Sequence, residues 1–167
     1  MRIIPWVCCG MVVVSTVVQA QQRRPPAAQK SAVGVTIALK VGANKYDFTG
    51  QASCTHAPTA AIYGVVSEQW NIEQSDGSRA LHLTLWRPKN GSSDMFTLSV
   101  SGVSGSQTVN TVKASSAPAP EGSGSVTLAA LGTGATFTIE AKTATGSAVT
   151  GTIKCDAFTP AIAEGGN

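Results

Sequence analysis

Charge is scarce in this chain. Only 13% of its 167 residues are Asp, Glu, Lys or Arg, against roughly 25% in an average soluble protein. That composition excludes a coiled coil and a typical charged disordered chain. The net charge is only +3, which argues against a nucleic-acid binder with a clustered basic face. Histidine is rarer still. His56 and His82 are the only two, and with four cysteines they leave almost no material for a metal site. The G-x-S-x-G elbow, the P-loop and the H-E-x-x-H helix are all missing. Glycine-rich stretches such as Gly122-Ser123-Gly124 have no helical pattern after them, so they read as turns rather than phosphate cradles. The few acids, among them Asp47, Glu68, Glu73, Asp76, Asp94 and Asp156, fall mostly at expected strand ends or turns. They do not suggest the paired carboxylates of a glycosidase cleft. No catalytic residue, metal or cofactor is expected. The length supports one ordinary domain.

What is present starts with an export pattern. Residues 1–20 read MRIIPWVCCGMVVVSTVVQA. Arg2 is a short positive region, an apolar run follows, and Val18 and Ala20 place small residues before a cut at Gln21. An uncleaved membrane anchor is the competing reading, although the run is shorter than the roughly 18 apolar residues a span needs. Acylation of Cys8 or Cys9 is another, although Trp6 and Val7 stand where small residues are needed. The expectation is a cleaved signal and a periplasmic or extracellular protein with no membrane span left. Residues 21–32 then form a flexible leader rich in Pro, Gln and Arg.

Cleavage would leave Cys54 and Cys155 as the only cysteines. An even pair in an oxidising compartment implies one disulfide. Free buried thiols are the alternative.

From Val33 onward the hydrophobic pattern has period two. Val33, Val35, Ile37, Leu39 and Val41 alternate with smaller or polar residues. A second strand is expected from Tyr46 to about Thr55. His56 to Ser67, with Pro58 and Gly64, reads as a long loop, with room for one helical turn. Trp70 and Ile72 then face Leu81, Leu83 and Leu85 across Asp76-Gly77, which suits a two-residue turn. Phe96, Leu98 and Val100 follow after Asn90-Gly91-Ser92, a glycosylation sequon. Thr108 to Lys113 is a weaker strand, and Ala114 to Ser125 reads as a flexible loop. Val126, Leu128 and Ala130, then Phe137 and Ile139, then Val149, Ile153 and Cys155 complete the pattern. The expectation is an all-β domain over residues 33–158, an antiparallel sandwich or barrel of eight or nine short strands, with a tail over 159–167.

The pieces TGQASC near the front and TGTIKC near the end, with turns such as SDGS and the stretch GSGSVTLAALGTGATFTI between them, resemble the mycobacterial LpqH-type lipoprotein antigens. The resemblance covers about two-thirds of the chain. It implies an envelope-associated, non-enzymatic β-protein. This chain has Ala20-Gln21 where those proteins carry a lipobox cysteine, so the lipid anchor does not carry over.

The functional expectation is therefore an exported, non-enzymatic binding or structural module. A carrier holding an apolar ligand inside a barrel is the alternative, and an unrecognised hydrolase comes third. If Ser75 pairs with Ser78, Ile72 faces Leu81 and Trp70 faces Leu83 on the buried side. Gln69, Asn71, Glu73, His82, Thr84 and Trp86 then share the opposite face. An indole beside an imidazole, an amide and a carboxylate suits a glycan, a peptide or the edge of a protein partner. The competing reading is that Trp86 is covered by the His56–Ser67 loop or the C-terminal tail, with Tyr63 and Phe158 as the available cover.

Overall fold

A computed structural model describes residues 31–102 and 105–161. The expected signal, the leader up to residue 30 and tail residues 162–167 lie outside the described residues. Ten strands form: β1 (Ala32–Val41), β2 (Asn44–Ile62), β3 (Val65–Ser75), β4 (Ala80–Pro88), β5 (Met95–Ser101), β6 (Gln107–Asn110), β7 (Ser123–Leu131), β8 (Gly134–Lys142), β9 (Ala148–Cys155) and β10 (Thr159–Pro160). Nine of them make one antiparallel sheet in the order β6-β5-β4-β3-β2-β1-β9-β8-β7, with β10 added in parallel to β2. The expected all-β antiparallel class is what the chain adopts.

The period-two pattern produces this fold directly. Val35, Ile37, Leu39 and Val41 of β1 point inward, and the residues between them face out. Tyr46, Ile72, Leu83, Leu85, Phe96, Leu98, Phe137, Ile139 and Ile153 meet them in a single core. The sheet coils because strands twist, and its two edges approach each other. The segment 111–122 crosses between β6 and β7, Asn110 and Glu121 exchange backbone hydrogen bonds of 2.7 and 2.9 Å, and the start of β7 returns to β5. The result is a nearly closed barrel.

Cys54 on β2 and Cys155 on β9 form the disulfide, 101 residues apart in sequence with Cα atoms 6.4 Å apart. These are the two strands that flank β1.

The structure corrects four local expectations. Residues 56–67 are not a loop with a helical turn. β2 continues to Ile62, turns at Tyr63-Gly64 and returns as β3. Pro58 is accommodated because the ladder shifts register between Ala57 and Ala60, and a bulge is where a strand tolerates a residue with no N–H. The β3–β4 connection is not a two-residue turn. Ser75 pairs with Ala80, so Asp76 to Arg79 form a four-residue loop, closed by the Asp76 carboxylate on Arg79. This moves the register by two, with Ile72 opposite Leu83 and Trp70 opposite Leu85, and an even shift keeps every side chain on its expected face. The 114–125 stretch is not a free loop, since Glu121 bridges to Asn110 and β7 already begins at Ser123. The tail begins as a strand, because Thr159 and Pro160 pair with Thr55 and His56.

Candidate functional site

The six expected surface residues do share one outer face. Gln69, Asn71 and Glu73 on β3 stand opposite Trp86, Thr84 and His82 on β4. Asn71 is the centre of their polar network. Its Oδ1 lies 2.6 Å from His82 Nε2 and accepts the Thr84 hydroxyl at 3.0 Å, while its Nδ2 donates to Glu73 Oε1 at 3.0 Å. The same His82 nitrogen lies 3.2 Å from the Thr84 hydroxyl, so the three side chains meet at one point. Of the group, His82 is exposed, Thr84 is buried, and the others are half-buried.

Trp86 does not lie open as a platform. It packs against a small second cluster of Ile62, Met95 and Val112 on the outside of the barrel, together with Val65 and Ala117. The cover therefore comes from the β2–β3 hairpin and the 111–122 strap. Tyr63, expected as cover, is 47% exposed, and Phe158 packs against Phe137 and His56 elsewhere. The strap is held down where Thr111 bonds to both backbone groups of Phe96 through its N–H and its hydroxyl.

One end of the barrel carries a group that sequence reasoning missed. His56 stacks on Trp70 with ring centroids 4.8 Å apart and planes within 10°. The Arg87 guanidinium lies over the same indole at 5.3 Å and pairs with Asp94 at 3.0 Å. The hydrogen bonds that Arg87 donates to Asp94, and the charges of Asp94 and Glu68, raise the Arg87 pKa against the opposing effect of burial. Glu68 Oε2 is 3.9 Å from His56 Nε2, a buried atom with no hydrogen-bond partner. Once β2 is known to continue past Thr55, His56 falls opposite Trp70 by register. The legible signal was charge in the inward phase, since Glu68 and Arg87 keep step with Trp70 and Leu85.

Tyr46, Gln74, Asp76 and Arg79 meet around the β3–β4 loop. The buried Tyr46 hydroxyl donates to Gln74 Oε1, and Arg79 lies 5.2 Å from the centre of the phenol ring. Burial, then the Asp76 charge, raises the Tyr46 pKa above its ordinary value, while Arg79 pulls the other way. Side-chain and backbone hydrogen bonds from Arg79 hold the Asp76 carboxyl below its own.

An open concavity of about 520 Å³ lies on β7–β9, lined by Thr138, Glu140, Lys142, Thr150 and Thr152 among others, away from the β3–β4 face. Among the described residues no group of three or more His, Cys, Asp or Glu is arranged to hold a metal. No protein-family model matches this chain, and comparison with curated proteins and with solved structures returns no match.

Proposed function

We propose that this chain is an exported, non-enzymatic β-domain of the cell envelope or extracellular space, which binds an envelope glycan, a peptide or a protein partner through the outer face of β3–β4. One observation carries the reading: Asn71, Glu73, Thr84 and His82 are held together in one hydrogen-bonded network on that face, with His82 exposed. A network whose side chains are already fixed has less rotamer freedom to lose on binding. The Cys54–Cys155 bond fits an oxidising compartment, and the likeness to LpqH-type antigens points to the envelope. The carrier reading has less support, because Tyr46, Phe96, Phe137 and their neighbours fill the inward positions as a packed core.

The test is an NMR titration with solubilised cell-wall glycan fragments and with peptides. The amides of Asn71, Glu73 and His82 should shift together, and His82→Ala should weaken the interaction about tenfold or more, the scale of a hot-spot residue, with an unchanged melting temperature. Shifts confined to other strands, or His82→Ala binding like wild type, would remove this face from the function.

A further inference from the structure

We propose that the tip of the β2–β3 hairpin docks on an anionic lipid surface. Tyr63 and Val66 would enter the headgroup boundary, with Lys89 beside them and Lys113 behind, next to Met95. The inference is independent of the β3–β4 face.

The tip is apolar and open. Tyr63 and Val66 are 47% and 52% exposed, two of the three large hydrophobic residues that stand out in solvent among the described residues. Ile62, Val65 and the half-buried Trp86 continue the apolar surface just behind them. The hairpin also projects. Among the described residues, pairing with β1 reaches only Ser53 and β10 stops at His56, so from Ala57 to Ile62 β2 pairs with β3 alone.

Tyr63 is also out of place as a turn residue. Its φ is +47°, followed by Gly64 at +80°. A two-residue turn with both φ values positive calls for Asn-Gly or Gly-Gly, and a bulky side chain in the left-handed region is strained. Here the strain puts an aromatic residue at the outermost point of the hairpin. Backbone outliers of this kind collect at functional sites.

The charges nearby complement an acidic surface. The Lys89 N–H donates to the Val66 carbonyl at 2.9 Å, which fixes that lysine next to the tip. Lys113 approaches Met95 Sδ through its N–H at 3.5 Å, beside the cluster that holds Trp86. Both side chains are exposed, and neither has an ion-pair partner among the described residues. The nearby acids are engaged otherwise: Asp94 pairs with Arg87, and Glu68 stands between His56 and Arg87. Tyr and Trp favour the membrane–water boundary, and lysines near an anionic leaflet gain electrostatic attraction.

Sedimentation with phosphatidylglycerol-containing vesicles, compared with vesicles of phosphatidylcholine alone, tests this. The protein should bind the anionic vesicles preferentially. Tyr63→Asn should weaken that binding about tenfold through lost apolar burial without lowering the melting temperature, because Asn is at home in this turn. Each of Lys89→Gln and Lys113→Gln should weaken it about fivefold. Val66→Ser gives a second reading that leaves the turn untouched. Equal affinity for the two vesicle types, absence of binding, or wild-type binding by both Tyr63→Asn and Val66→Ser would overturn the proposal. Capture of a protein partner through Tyr63 without vesicle binding would overturn it as well.

Discussion

Tyr46 shows how much one residue's setting depends on neighbours far away in sequence. Its inward phase was legible from the alternation with Phe48, Ala52 and Cys54. Its hydrogen bond to Gln74 was not, because that pairing needs the register of three strands. The setting has a pH consequence. The folded chain holds the phenol proton more tightly than the unfolded chain, whose value is near 10.0. Stability linked to that proton is whole below pH 10 and is lost as pH rises through the folded value. In a Tyr63→Phe variant, which leaves Tyr46 as the single tyrosine, tyrosinate absorbance should therefore appear above pH 10 together with loss of near-UV dichroism. A phenol that ionises ahead of unfolding would contradict the setting. Trp86 makes the converse point. Its outward phase was readable, but part of its cover comes from a strap whose Ser, Ala and Pro residues gave no periodic signal.

At the scale of elements, alternation located the strands and turn chemistry misplaced two of their ends. Pro58 and Gly64 look like loop markers, yet one sits at a bulge and the other in a tight turn. Asp76-Gly77 looks like a complete two-residue turn. Ion pairing of Asp76 with Arg79 makes the four-residue loop instead, and nothing in local propensity reveals that. The crowding between β1, β9 and β8 was equally hidden. Gly151 pairs with Leu39 on one side and Ile139 on the other, its φ is +136°, and a Cβ there would strike the Ala38 carbonyl. Gly151→Ala should cost about 1–3 kcal/mol or more, since strain and collision add. Gly42→Ala should cost less. Its φ is also positive, at +60°, but nothing lies within 4 Å of the added methyl. Urea denaturation of the two variants checks the order.

For the whole molecule, the class was legible because alternation recurs along the entire domain, and Cys54 and Cys155 were the two cysteines outside the expected signal. Closure into a barrel was not, because it depends on how far the sheet coils and on the Asn110–Glu121 bridge between its edges. The disulfide closes a loop of 101 residues. Chain-entropy reasoning gives such a bond about 4–5 kcal/mol. Cys155→Ser should lower stability by that order, and a variant melting within a degree or two of wild type would show the bond to be idle.

That bond also sets how the molecule would respond to tension. The chain enters the fold at β1, which lies between the two strands that the cystine joins. A pull on the two ends would reach the ladders of β1 at one end only, because Ala32 stands opposite Ser53 and Val35 opposite Cys155, so β1 would be unzipped from its neighbours pair by pair rather than sheared. Everything between Cys54 and Cys155 lies behind the sulfur bridge and stays outside the path of the load. Extending that segment would need reduction first, and only then would roughly 330–360 Å of hidden contour be released.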